Sequence, residues 1–286
     1  MQWLVRLADL SRRLPPFRGK TRLQGALSRF ALRGRGSAPA LLAARIGGVD
    51  WELDIAELIQ AQIFWEGGYG QGVLTWLGRE ARGANGAATF WDVGANVGAV
   101  SLLMAAQCPG LAVESFEPSP RVHAKLARHA ALNPALGVRL HRLALSDTSG
   151  ASLFHESAER FNGGVGALYA AHNVEACAVE VEVARGDDLV ASGRVRPPTV
   201  IKIDVEGFEL EVLGGLEAVL ARHRPSLCVE SAGPRLAERG RPLDAIARRL
   251  AELGYRVARI DDASGAEHAL RASDFARNID LAAHPI

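Results

Sequence analysis

The sequence predicts an α/β fold: a mostly parallel sheet with helices on both faces, preceded by a helical and hairpin extension. Three observations carry that prediction. From residue 89 onward, short strand-like runs alternate with apolar stretches of helical period. Nearly every strand-like run ends in an acid or in glycines, a pattern that a purely structural sheet does not require. The 286 residues are 48% hydrophobic and 23% charged, a soluble composition able to bury a core, which excludes an extended disordered chain and a low-complexity fibre.

In chain order, Trp3, Leu4, Leu7 and Leu10 recur at helical spacing before Pro15-Pro16, and Leu23, Leu27 and Phe30 predict a second short helix. ARIGGVDWELDI alternates apolar and polar residues after Gly47-Gly48, which predicts a β-hairpin. AELIQAQIF and QGVLTWLGREA predict helices on either side of WEGGYG. TFWDV, LAVESFE, VRLHRLAL, TVIKID, SLCVE, YRVARI and FARNIDLAA are the predicted strands, with one helix expected over FELEVLGGLEAVLARH and another over LDAIARRLAELG. Strands alternating with helices of this length imply right-handed βαβ units. Two domains are expected: a basic helical extension over 1–45 and a catalytic domain over 46–286. The segment 150–183 interrupts the series, with FNGGVGALY between His155 and His172. It is read as a lid or as a surface hairpin, and both readings stay open.

The uncharged stretch Val93–Val113 has the length of a membrane span, but Asn96, Gln107, Pro109 and three glycines make it a strand, turn, helix and strand. Three cysteines without a CxxC pair predict neither a disulfide scaffold nor a thiolate zinc site. With no secretory signal visible, a cytoplasmic chain is expected. Residues 1–36 carry nine basic residues and one acid, a net +8 against −7 for the rest. This arm could meet anionic lipid headgroups through Trp3, Leu4, Leu7 and Leu10, placing the chain at the inner membrane face, or it could contact a second copy. A solvated, partly disordered arm is the expectation, and nucleic acid is not expected as a partner because no binding motif accompanies the charge.

Ligands of such sheets bind beyond the carboxyl ends of the strands, where strand order reverses. The first strand leads into Asp92-Val93-Gly94-Ala95-Asn96-Val97-Gly98, with Gly94 placed for close approach to a ligand and Gly98 for helix packing. Glu117 follows Gly98 by 19 residues, close to the ~20-residue offset of an acid that grips ribose hydroxyls. Asn96 replaces the middle glycine of a dinucleotide turn, and the Asp92 carboxylate would repel a pyrophosphate. The electrostatics favour S-adenosyl-L-methionine over NAD, leaving an NAD(P)-dependent oxidoreductase and a non-catalytic nucleoside-binding module as the alternatives. Only three lysines occur, and Lys202 on a central strand is expected to face an anion, with Asp92 the candidate. Asp204 and Glu230 could hold Mg²⁺, but no ligand motif supports a metal and none is expected.

DVGANVG, FEPSP, ALSD, RGDDL, VIKIDVEGFELEVLGG and RPSLCVE together resemble the FkbM family of S-adenosylmethionine-dependent methyltransferases, and IQAQIFWEGGYG is similar to that family's upstream segment. The resemblance spans roughly Ile46 to Glu230. It implies the class I (Rossmann-like) methyltransferase fold with a seven-stranded sheet, and O-methylation of a sugar, glycan or other small-molecule acceptor. It also implies that Asp92, Gly94, Asn96 and Gly98 form the cofactor turn, that Glu117 holds the ribose and that Ser146 and Asp147 border the adenine. Asp204 and Glu206 would face the transferring methyl. Glu206 is expected to be the base and Asp204 to orient the ligands. Tyr69 is assigned to the cofactor although Gly70 follows it where the family commonly shows an acid.

Overall fold

The computed structural model describes residues 2–15, 18–33, 40–84, 87–157, 166–167 and 176–286. Helices α1 (Gln2–Arg13) and α2 (Lys20–Leu32) precede an antiparallel hairpin, β1 (Leu41–Ile46) and β2 (Val49–Asp54), closed by Gly47-Gly48. Helices α3 (Leu58–Glu66) and α4 (Gln71–Gly83) follow. The expected division at 45/46 therefore falls inside β1.

The solvated arm is a correction. Helix α1 packs on α3, with Leu4 and Ala8 fully buried. Arg12 donates to the Phe64 carbonyl, and Trp65 Nε1 donates to Ser28 Oγ at 2.9 Å. Leu4 thus faces inward rather than joining Trp3, Leu7 and Leu10 outside. Its burial alone contributes about 2 kcal/mol, enough to offset much of the ordering cost of its turn.

The next elements are β3 (Thr89–Val93), α5 (Ala99–Gln107), β4 (Ala112–Phe116), α6 (Pro120–Leu132) and β5 (Arg139–His141). Helix α6 starts where Ser119 Oγ accepts from Val122 N at 3.1 Å and Pro120 supplies the preset first turn. Then come β6 (Ala144–Leu145), β7 (Gly150–Ser157), β8 (Gly166–Ala167), β9 (Ala176–Ala184) and α7 (Gly186–Ala191). The chain closes with β10 (Val200–Ile203), α8 (Glu209–Gly214), α9 (Glu217–His223), β11 (Ser226–Ala232), α10 (Gly233–Glu238), α11 (Ala245–Glu252), β12 (Tyr255–Ile260), β13 (Glu267–His268) and β14 (Asn278–Pro285).

The main sheet has the order β13-β12-β14-β11-β10-β3-β4-β5. The five strands β11, β10, β3, β4 and β5 run parallel, while β14 is antiparallel to both neighbours. This is the class I methyltransferase architecture that the resemblance implies, with one strand more than expected, because the two-residue β13 extends the edge. Alternation along the central strands sends side chains to two cores. Phe90 and Val200 join Trp51, Phe64 and Trp76 on one face, whereas Trp91, Ile201 and Ile203 join Leu213 and Leu250 on the other. The tryptophans Trp51, Trp65, Trp76 and Trp91 are all buried, as expected of core residues. Val93–Val113 is the β3 end, a turn, α5 and the start of β4, and no described helix is long and apolar enough to cross a membrane.

Two further expectations are corrected. VRLHRLAL is not one strand: after β5 the chain leaves the main sheet, and β6 pairs with β9 in a second sheet of order β6-β9-β7-β8. FELEVLGGLEAVLARH is not one helix, because α8 and α9 break at Gly214-Gly215, where a Cβ on Gly215 would meet the Ser146 carbonyl oxygen at 1.9 Å. The break is a tertiary contact invisible to local period. His172 and all of FNGGVGALY except Gly166-Ala167 lie outside the described residues, so the lid reading does too.

Candidate active site

Strand order reverses between β3 and β10, and there the chain opens a cavity of about 300 Å³. Its floor is made by the carboxyl ends of β3, β4, β10 and β11 through Asp92, Glu117, Asp204 and Glu230. Its side walls come from α3, through Leu58 and Gln62, and from β7, through Phe154.

The turn after β3 is held tightly. The amides of Gly94 and Ala95 both donate to the Phe116 carbonyl, at 3.0 and 2.9 Å. Gly94 has φ +83°, and a Cβ there would lie 1.9 Å from the Asp204 carbonyl oxygen, so only glycine lets this turn pass the end of β10. Asn96 also takes a left-handed φ, +52°, and its amide donates to Glu117 Oε2 at 3.0 Å. Ser119 N donates to the other oxygen, Oε1, at 2.9 Å. Burial pushes the Glu117 pKa up to about 7 against the pull of those two amides. Each oxygen has accepted one backbone hydrogen bond, so lone pairs remain for a ligand.

Asp92 is fully buried on the face it shares with Lys202. Its Oδ2 accepts from Ser101 Oγ at 2.5 Å, and Ser115 Oγ donates to Ser101 Oγ at 2.7 Å. Asp92 Oδ1 has no hydrogen-bond partner among the described residues and lies 3.8 Å from Lys202 Nζ. Burial raises the Asp92 pKa, opposed by Lys202 and Ser101.

Lys202 does face an anion, but its nearer partner is Asp204, 2.9 Å away, rather than Asp92. Asp204 is the more accessible of the two acids. Burial raises its pKa, but Lys202 and a hydrogen bond with Glu230 outweigh that and leave it below the usual range. Glu230 takes the opposite course: the Asp204 charge and then burial push it up to about 10, so it is protonated at neutral pH and donates to Asp204.

Glu206 stands in the turn after β10 with φ +54°. Burial and then Asp204 raise its pKa, while Arg235, 3.4 Å away, opposes them. Helix α8 has no side-chain cap from Glu206 or Glu209, and the turn ahead of it is closed by Glu209. Its Oε1 accepts from Gly207 N at 2.9 Å and from Val205 N at 3.3 Å. Glu206 is left facing the cavity. Of the three non-glycine residues with positive φ among the described residues, Asn96 and Glu206 both line it, a placement typical of strained functional turns.

Tyr69 lines the cavity, and burial together with Asp204 raises its pKa. Gly98, assigned to the cofactor turn, is not among the lining residues; a Cβ there would meet Leu126 Cδ1 of α6 at 2.5 Å, so it serves helix-on-helix packing rather than the helix-on-strand packing its position suggests. Ser146 and Asp147 are not among the lining residues. Ser146 Oγ donates to Asp147 Oδ1 at 3.2 Å, and both residues pack toward Gly214-Gly215, while Leu143, Ala144 and Leu145 face the cavity. The bend between β5 and β6 causes this shift. Phe154, Gln62 and Leu58 went unassigned in the sequence because they reach the site from separate elements with no motif between them.

The family model described as the methyltransferase FkbM domain matches residues 92–257. Hexuronic acid methyltransferase AglP of Haloferax volcanii is 35% identical over 132 residues, covering 46% of this chain and 51% of its own length. The 31-O-demethyl-FK506 methyltransferase FkbM of Streptomyces tacrolimicus is 29% identical over 153 residues, covering 44% of this chain and 58% of its own. The chain therefore spans little more than half the length of the curated relatives it matches. The crystal structure of methyltransferase FkbM from Methylobacillus flagellatus aligns with a TM-score of 0.43 at 18% identity, covering 69% of this chain and 44% of that one.

Proposed function

Since the chain belongs to the FkbM family of methyltransferases, we propose that it transfers a methyl group from S-adenosylmethionine to a hydroxyl oxygen of a sugar, glycan or other small-molecule acceptor. The observation that carries this reading is the convergence of four carboxyl groups on the floor of one cavity at the switch point, one of them with a buried oxygen that accepts no hydrogen bond from a described residue. A cationic ligand suits that floor, whereas a pyrophosphate would meet Asp92. The residues present fit the cofactor. Asp92 Oδ1 would take the ammonium of its methionine end, Glu117 the ribose hydroxyls, and Leu143, Leu145 and Phe154 the base. When bound, S-adenosylmethionine supplies an electrophilic methyl carbon on a positively charged sulfur.

The remaining work falls to the chain's own groups. The turn from Gly94 to Asn96 fixes the Glu117 carboxylate, so the ribose contacts are positioned before binding. Lys202 holds Asp204 ionised at the cavity floor, where it orients the acceptor. Glu206 takes the acceptor's hydroxyl proton, and burial with the Asp204 charge, which raise its pKa, make it a stronger base than a free carboxylate. AglP methylates a hexuronic acid, by its name, and this favours a sugar among the acceptors.

Calorimetric titration tests the donor. S-adenosylmethionine is expected to bind and NAD to show no heat, and binding of NAD instead would overturn the reading. The same titration carries a pH dependence. Ribose hydroxyls donate to an ionised Glu117, so affinity should fall as pH drops through about 7, and binding near that pH should release a proton. In the ligand-free protein the sign is reversed. A carboxyl whose pKa is raised by folding stabilises the fold while protonated, so that contribution is complete below the ordinary carboxylate range and lost as pH rises through about 7. Glu117→Gln should remove both dependences, and a pH-independent affinity in the wild-type chain would count against Glu117 as the ribose ligand.

A further inference from the structure

Of the eleven strongly exposed large apolar side chains among the described residues, six fall within residues 2–33: Trp3, Leu7, Leu10, Leu14, Leu23 and Phe30. Their exposures run from 38% to 59%, while Leu4 and Ala8, a quarter-turn round the same helix, are fully buried against the body. Helix α1 is therefore apolar over a wider arc than the body covers. Trp3, Leu7, Leu10 and Leu14 recur at intervals of four, three and four, one continuous outward stripe. On α2, Leu23 and Phe30 lie two turns apart, and the Phe30 ring meets the Trp3 ring edge-on at 6.4 Å. The two stripes form one surface.

Charge surrounds it. Arg12 and Lys20 turn inward, to Phe64 and Glu66. Arg6, Arg13, Arg18, Arg22, Arg29 and Arg33 are exposed and form no ion pair with a described residue. Helical spacing sets Arg6 and Arg13 along one margin of the α1 stripe, and Arg22, Arg29 and Arg33 along one margin of the α2 stripe. The Arg33 guanidinium lies over the Phe30 ring at 5.5 Å. A second copy would bring the same six cations against themselves. An anionic surface into which tryptophan and leucine side chains can sink matches both the apolar stripe and its cationic border.

We propose that α1 and α2 form a peripheral docking surface for an anionic lipid bilayer. Helix α1 lies on the back of α3, whose Leu58 and Gln62 line the cavity, so docking holds the catalytic body at the bilayer by a buried helix contact rather than a loose tether. Neither the apolar stripe nor the arginines belong to the cavity, so this inference stands apart from the methyl-transfer reading.

The experiment is co-sedimentation of the full chain with vesicles of phosphatidylcholine alone and of equal parts phosphatidylcholine and phosphatidylglycerol. Binding to the mixed vesicles is expected to exceed binding to the neutral ones by roughly tenfold or more, and to weaken as salt is raised. Leu7→Ser with Leu10→Ser should lose most of the binding, and Arg13→Gln with Arg22→Gln and Arg29→Gln should lose the preference for phosphatidylglycerol. These side chains are exposed, so both variants should keep the wild-type circular dichroism spectrum and S-adenosylmethionine affinity. Equal binding to both vesicle types, unchanged binding by the leucine variant, or a vesicle-free mass of two chains that reverts to one in that variant would each overturn the proposal.

Discussion

Replacing Glu206 by Gln should lower turnover by about 10²- to 10⁴-fold, the usual contribution of a positioned general base, with S-adenosylmethionine affinity nearly unchanged. The split follows from geometry. Glu206 lines the cavity without receiving the amides of the Val205–Gly207 turn, which go to Glu209. Gln keeps the shape and the left-handed turn is unaltered, so what is lost is the ability to accept a proton together with the ion pair to Arg235. The pH profile provides a second readout. Burial and Asp204 raise the Glu206 pKa, and only the ionised form accepts the proton, so wild-type turnover should fall as pH drops through a value above the usual carboxylate range. The residual turnover of the variant should lack that limb. Steady-state rates with any accepted hydroxyl substrate measure both, and turnover within threefold of wild type would remove Glu206 from the role.

Lys202→Met should cost about 3–5 kcal/mol of folding stability at neutral pH, the penalty of leaving buried charge uncompensated. Lys202 is buried between Asp204 at 2.9 Å and Asp92 at 3.8 Å. Burial alone would lower its pKa, but the two carboxylates more than reverse that, so the ammonium stays charged. Methionine matches its length and removes the charge. Asp204 then loses the group that keeps it ionised beside Glu230. Adding Asp204→Asn should restore a good part of the loss, because it removes the stranded anion. Urea denaturation of wild type, single and double variants measures the coupling. A loss below 1 kcal/mol in the single variant, or no recovery in the double, would contradict the ion-pair account.

The parts of the site legible in the sequence were those whose constraint is local. Gly94, Asn96 and Glu117 lie on one turn and the next strand end, and residue spacing along parallel strands brings them together whatever the rest of the chain does. Strands β3, β4, β10 and β11 were legible for the same reason. What escaped depends on contacts between distant segments. The break at Gly215 is imposed by the Ser146 carbonyl, and the handover from β5 to β6 by pairing with β9 some forty residues later. The resemblance places Ser146 and Asp147 beside the adenine, whereas the last two residues of VRLHRLAL turn aside to a different sheet and carry Ser146 and Asp147 off the cavity lining. The arm was read as solvated because its charge dominates its composition. That α3 would cover Leu4 and Ala8 is a property of the partner helix, not of the arm.

The cavity's two kinds of wall have a consequence for how such a chain can diversify. Its floor is sheet, cross-linked by backbone amides and buried charges. Leu58, Gln62 and Phe154 stand on α3 and β7, outside the strand ends that make the floor. Exchange of side chains at these positions alters the shape offered to an incoming molecule without replacing any of the floor's carboxyl groups. On the methyl-transfer reading proposed above, α3 and β7 are where a change of acceptor would begin, ahead of any change at the strand ends.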